Sequence, residues 1–175
     1  MIEVVVAINN FLPFIFAFIF ITSTWYFKTF SSLMITASFF TLLEFSELIL
    51  DPILWHVIHP DIMLFDISVK KELWVGVWVT LNTLTIYLIN EAHKTLNIAK
   101  SRDTQIISGL LVLTSVFMLI RYLVGLGSPI GWISTLYIYA MALTNLSMGL
   151  FLLSALIWNI FDVNIKVSLR RLPRG

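Results

Sequence analysis

The sequence has no cysteine and few charged residues, and both absences limit what the protein can be. Of its 175 residues, 12% are charged and 59% are hydrophobic. Soluble domains carry about 25% charged and roughly 45–50% apolar residues, so this chain has too few polar groups to cover a water-facing surface. Lipid is therefore its expected solvent. The lack of cysteine excludes disulfides, thiolate metal sites and redox-active thiols.

Motifs for nucleotides and for several catalytic classes are also missing. The sequence contains no P-loop, no GxGxxG fingerprint and no His-Glu-x-x-His motif. No pair of histidines lies at the centre of an apolar stretch, so we expect no haem, and the sequence indicates no other cofactor. We expect no serine hydrolase site, because no histidine can be placed beside an intramembrane serine. A net charge of +1 favours neither nucleic acid nor an acidic partner.

Five apolar stretches are present, each near or above the ~20 residues that cross a bilayer. They are residues 4–27, 32–50, 73–90, 104–124 and 130–161. The pattern predicts an all-α membrane protein, a bundle of about five transmembrane helices. Residues 1–162 form its single domain and residues 163–175 a basic cytoplasmic tail. We expect the first stretch to be retained, because it lacks a basic start and is too long for a signal-peptide core.

The longest connection, residues 51–72, is too apolar for a free loop. It contains two prolines, and we expect it to pack on the membrane surface or to re-enter the membrane. Its end, residues 65–70, alternates apolar and polar side chains like a short strand.

Lysine and arginine predict the orientation. With the N-terminus outside, the inner side holds Lys28, Lys94, Lys100, Arg102, Lys166, Arg170, Arg171 and Arg174, and the outer side holds Lys70 and Lys71. This asymmetry follows the positive-inside rule, so we expect a cytoplasmic C-terminus. We predict a multi-pass protein of the plasma (inner) membrane. Its predicted partners include the lipid bilayer.

Three acids in the second helix form the most informative pattern. Glu44, Glu47 and Asp51 are three and four residues apart, so they share one helical face. Ionisable groups within a membrane are costly and seldom face lipid. They indicate either a cation path or a buried ion pair. Arg121, at a matching depth in the fourth helix, is the predicted partner of Glu44 or Glu47.

Small and polar residues follow one face of two other helices. The third helix has Gly76, Thr80, Thr83, Tyr87 and Asn90, and the fifth has Ser134, Ala142, Asn145 and Gly149. Such faces either allow close helix packing or line an aqueous path.

The connection after the second helix holds a possible metal site. His56, His59 and Asp61 are residue types that bind zinc, although their spacing matches no defined zinc motif. Solvated histidines or a pH-sensing role are the alternatives.

Three functions remain open. The favoured one is an oligomeric channel or pore-forming subunit that passes small cations, assembled as a homo-oligomer. The second is an accessory subunit of a larger membrane protein complex, whose buried charges dock a partner helix. The third is a metal-dependent membrane enzyme that uses the outer acids and histidines. The small size favours several copies around an axis, because five helices enclose little space.

Overall fold

The computed structural model is helical wherever it describes an extended stretch of the chain. It describes residues 2–27, 31–58, 67–125 and 131–170. Within these ranges the described side chains are those of residues 11–27, 31–54, 56–57, 69, 71–124, 132 and 135–162. The helices are α1 Ile2–Phe27, α2 Ser32–Ile58, α3 Ile67–Thr95, α4 Arg102–Gly125 and α5 Gly131–Arg170. The predicted all-α class and the five helices are confirmed.

Local hydrogen bonds define three helix ends that lie close together. Ser31 Oγ accepts an amide of the first turn of α2, and Ser101 Oγ does the same for α4. Helix α3 ends at Thr95 and is followed by a turn in which Asn97 has a left-handed φ of 52°. The amide of Ile98 then donates to the carbonyl of His93, the long bond of a Schellman motif. These caps make the connection between α3 and α4 short and ordered.

The helices form a closed ring. Each helix packs against the next one along the chain, α5 packs against α1, and α2 also touches α4 and α5 across the ring. Short connections make consecutive helices antiparallel. We call the end that holds the start of α2 the Ser32 end, and the opposite end the Asp51 end.

Two apolar clusters fill the ring. The larger one includes Phe16, Phe40, Ile89 and Ile107, all fully buried, and it lies toward the Ser32 end. The smaller one lies toward the Asp51 end and consists of Leu54, Val75, Trp78 and Met118. The space between the two clusters is where polar side chains enter the interior.

Four of the described helices are long and apolar enough to cross a membrane. Their candidate spans are Ser32–Leu54, Lys71–Thr95, Arg102–Val124 and Thr135–Asp162, while the described apolar part of α1, Phe11–Phe27, is shorter. Trp25 and Trp158 are exposed near the Ser32 end, and Trp132 is exposed near the Asp51 end. Tryptophans at two levels are typical of proteins that span a bilayer.

The helices extend beyond the predicted apolar stretches. Helix α2 continues past Leu50 and through Pro52 to Ile58, so it includes the first part of the predicted long connection. Helix α3 begins at Ile67, so the strand predicted at the end of that connection is wrong for residues 67–70. The alternation there is too short to outweigh the helical context that follows. Helix α5 continues to Arg170, into the predicted tail.

Candidate functional site

A cavity of about 550 Å³ lies inside the ring, and side chains from all five helices line it. Leu43, Leu111 and Met148 of the larger apolar cluster form part of its wall. Trp78 and Met118 of the smaller cluster form another part. One chain therefore supplies the whole described wall of the cavity, without a neighbouring copy.

The predicted acid stripe lines this cavity. Glu44, Glu47 and Asp51 all contribute to its wall. Exposure increases along the stripe, since Glu44 is buried at 7%, Glu47 is half-buried and Asp51 is exposed. Glu44 follows Ser32 by twelve residues, which is about 18 Å along a helix. It therefore lies near the middle of the candidate span Ser32–Leu54.

Glu44 has no bonding partner among the described groups. No described donor forms a hydrogen bond with its carboxylate, and the ion pair formed by described side chains joins Lys94 to Glu91 at 3.7 Å. Its nearest charged neighbour on the helix is another acid, Glu47. Buried carboxylates are costly unless a cation, a proton or hydrogen bonds compensate them. The side chain is therefore available to a ligand that enters the cavity.

Arg121 forms no ion pair with Glu44 or Glu47 in the described part of the chain. Its guanidinium carbon lies 5.9 Å from the ring centroid of Tyr137, on α5. The phenol of Tyr137 is within electrostatic range of both Arg121 and Glu47. Counted from the starts of their helices, Arg121 and Glu47 differ in depth by about one helical turn.

The polar stripe of α3 faces away from the cavity. Gly76, Thr80, Thr83 and Tyr87 are exposed and Asn90 is half-buried. The inward face of α3 instead carries the buried residues Val75, Trp78, Asn82, Thr85, Ile89 and His93. A small and hydroxylated face on the outside of the chain suits contact with another helix.

The polar face of α5 points inward where the structure describes it. Asn145 lines the cavity, together with Asn82 of α3. Gly149 is buried against α1, where an added Cβ would meet Leu12 Cδ2 at 3.1 Å. The side chain of Ser134 is outside the described set. The face of α5 therefore serves both purposes, a polar wall at Asn145 and close packing at Gly149.

Several cavity residues were not predicted from the sequence. Trp74, Trp78 and Tyr137 line the cavity, and so do Pro13 and Pro52 inside α1 and α2. A proline removes the amide that would bond to the carbonyl four residues earlier. Pro52 was assigned to the predicted connection, residues 51–72, so its position inside a helix was not expected. The aromatic residues gave no signal, because apolar helices contain many of them.

The predicted metal site is described only in part. His56 is exposed near the end of α2, whereas His59 and Asp61 lie outside the described residues. The described side chains contain no group of three or more metal-binding residues.

The Ser32 end contains a second polar cluster, and the sequence did not predict it. Ser32 Oγ lies 2.8 Å from His93 Nε2 and 2.8 Å from Thr104 Oγ1. Thr104 Oγ1 is also 2.8 Å from Thr36 Oγ1, and 3.0 Å from Ser101 Oγ. The four hydroxyls and the imidazole join α2, α3 and α4. We call these five residues the Ser32 network.

The sequence did not predict that His93 contacts Ser32, the first residue of α2. His93 Nδ1 lies 2.7 Å from the carbonyl of Ile89, an acceptor, so this nitrogen carries a proton and donates. With a neutral ring, Nε2 accepts the hydroxyl proton of Ser32. Ser32 is 9% exposed, and its Oγ also accepts a hydrogen bond from the amide of Ser101 at 3.0 Å. The arrangement therefore joins the starts of α2 and α4 to the end of α3.

Comparison of the chain with protein-family models, with curated proteins and with solved structures gave no match. Fold and site together define a class, the α-helical proteins with several membrane-length helices and an acid-lined cavity between them.

Proposed function

We propose that the protein transports small cations across a cell membrane, with Glu44 as the principal binding group. The single observation that supports this most is the buried carboxylate of Glu44, which lines the cavity without a described partner. An ionised carboxylate only accepts hydrogen bonds, so in this position it favours a cation over an anion or a neutral solute. Glu47 and Asp51 add negative charge along the same wall, toward the exposed end.

We place the Asp51 end outside the cell and propose five spans, α1 among them. The lysine and arginine asymmetry supports this orientation. Cations would then enter past exposed Asp51, pass Glu47 and reach Glu44. Acidic side chains along a low-dielectric path concentrate cations and repel anions.

The proposed mechanism includes a gate. Between Glu44 and the Ser32 end lie the fully buried side chains of the larger apolar cluster, followed by the Ser32 network. This arrangement fits a binding chamber reached from one side, and passage to the other side requires a conformational change. The acid stripe faces the interior of a single chain, so a pore on an axis between several copies is not needed. The predicted homo-oligomer stays a prediction.

Flux across liposome membranes tests the proposal. We expect purified protein to pass cations in preference to anions. Glu44→Gln should lower the cation flux about tenfold or more, because a charge-assisted contact contributes about 1.5–3 kcal/mol. Glu91→Gln is the matched control, since Glu91 carries the same charge near the opposite end and lies outside the cavity. Equal cation flux in both variants, or flux without selectivity, would contradict the proposal.

An accessory subunit is the second candidate, and the outward stripe of α3 favours it. Gly76, Thr80 and Thr83 would face lipid in a lone chain, whereas helix contacts in membranes are rich in such residues. The mass of the protein purified in mild detergent separates the two functions. A chain that is folded only when co-purified with a different subunit supports the accessory role.

A further inference from the structure

The cavity is larger and its wall more apolar than the binding of an inorganic ion requires. A water molecule occupies about 30 Å³ in the liquid, so a cavity of about 550 Å³ has room for a solute with a body of its own. Pockets of roughly 300–1,000 Å³ typically hold small organic molecules. Most of the residues that line this cavity are apolar, with acids at one side.

From this cavity we infer that the transported cation is an organic ammonium ion with an apolar body. This inference rests on the proposed function and names its substrate class. The charged nitrogen would lie at Glu44, and the apolar body would lie against the aromatic wall.

The positive charge of the proposed ligand is inferred from the unpartnered carboxylate of Glu44. Glu44 is more than nine-tenths buried and lines the cavity, and no described group donates a hydrogen bond to it. Glu47 lines the same wall one turn away and adds a second negative charge. Arg121 stays with Tyr137 and does not pair with either acid. A cation therefore gains more in this cavity than a neutral ligand does.

The apolar body of the ligand is inferred from the aromatic side chains that line the cavity. Trp74 and Trp78 are in edge-to-face contact, with ring centroids 6.4 Å apart, and both line the cavity beside Tyr137. Indole and phenol rings attract organic cations through cation–π contacts, and Trp is the strongest of these partners. Trp78 is 4% exposed, so its contacts are made in a desolvated setting.

A bare metal ion fits the same residues poorly. The three acids are spread over two turns of α2, so they lie at successive depths and do not surround one point. The described side chains contain no group of three or more metal-binding residues. Calcium needs six to eight oxygen ligands, and magnesium needs a near-octahedral set.

Equilibrium dialysis of the full-length protein in phosphatidylglycerol nanodiscs tests the inference. The probe is labelled benzyltrimethylammonium, and tetramethylammonium is the comparison with the same charge and no apolar body. We expect the benzyl compound to bind about tenfold more tightly, because its ring adds buried apolar contact. An excess of sodium or calcium should not displace it.

Two matched pairs of variants locate the site. Glu44→Gln should weaken binding of the benzyl compound about tenfold or more, and Glu91→Gln should leave it unchanged. Trp78→Leu should weaken it about three- to tenfold, whereas Trp158→Leu should not, since Trp158 is 76% exposed and lies outside the cavity. Unchanged elution and a cooperative thermal unfolding transition confirm that each variant is folded.

The outcomes separate the inference from the proposed function. Glu44-dependent sodium or potassium flux without binding of the benzyl compound would overturn the organic substrate and leave cation transport standing. The absence of Glu44-dependent binding and flux for every cation would overturn both. Displacement of the probe by added phosphatidylcholine would support the ammonium site and assign its occupant to a lipid headgroup, and lack of displacement would assign it to a free amine.

Discussion

The two polar regions of this protein differ in how completely their groups are paired. At the Ser32 end, four hydroxyls, one imidazole and two backbone amides bond to one another within about one helical turn. In the cavity, the carboxylate of Glu44 is as buried as these groups and has no described partner. Buried polar groups are therefore hydrogen-bonded to one another at the Ser32 end, whereas the buried carboxylate in the cavity is not.

This difference separates a structural role from a ligand-binding role. A buried polar network is stabilising only when its members are all satisfied, and a satisfied network makes a rigid joint. A buried group without a partner lowers stability and persists where a ligand compensates it. The Ser32 network therefore holds the helices together, and the cavity at Glu44 remains open to a partner from outside the chain.

Removal of one hydroxyl from the Ser32 network has the largest expected effect. Ser32→Ala leaves His93 Nε2 and the amide of Ser101 without their hydrogen-bond partner. Each buried polar group left in this way lowers stability by about 1–3 kcal/mol. We expect the free energy of unfolding to fall by about 2–4 kcal/mol, measured by denaturation in mixed micelles.

Ser46→Ala is the matched control for that change. Ser46 Oγ donates to the carbonyl of Leu42 within the same helix, so its loss orphans no other side chain. We expect a change below about 0.5 kcal/mol. Equal losses in the two variants would remove the distinction between the network and an ordinary serine of α2.

Neutralisation of Glu44 should have a smaller effect and the opposite sign. Glu44→Gln replaces an unpaired carboxylate by a neutral amide of nearly the same shape, which costs less to bury. We expect the protein without ligand to gain up to about 1 kcal/mol of stability while cation flux falls. The same denaturation measurement applies, with Glu91→Gln as the control. A loss comparable to that of Ser32→Ala would mean that Glu44 has a structural partner.

The sequence predicted the helices better than their ends. Five apolar stretches of membrane length identified five helices, because hydrophobic length is a strong signal. The end of α2 was placed too early, because Pro52 was assigned to the connection predicted at residues 51–72. A proline is tolerated in a helix when neighbouring helices and local adjustments satisfy the freed carbonyl. That compensation depends on the tertiary structure and is not visible in one segment.

The sequence predicted which site residues share a face of one helix, but not which helices bring their residues together. The three-and-four spacing of Glu44, Glu47 and Asp51 identified their common face from α2 alone. Contacts between helices were not predictable in this way. Arg121 was predicted to contact Glu44 or Glu47, whereas among the described side chains it lies against Tyr137 of α5. The pairing of Ser32 with His93 depends on residues 61 positions apart, for which the sequence gave no register.

The smallest expected effect concerns the connection that holds the Ser32 network in register. Asn97 adopts a left-handed φ of 52° at the end of α3, a conformation that costs residues other than Gly, Asn and Asp about 1–2 kcal/mol. We expect Asn97→Ala to lower the free energy of unfolding by about 1 kcal/mol, whereas Asn97→Gly should maintain it or raise it by about 0.5 kcal/mol. Denaturation in mixed micelles compares the two variants at the same position. The pair isolates backbone conformation, because both substitutions delete the amide side chain. Equal destabilisation by alanine and glycine would show instead that the Asn97 side chain itself stabilises this end of the bundle.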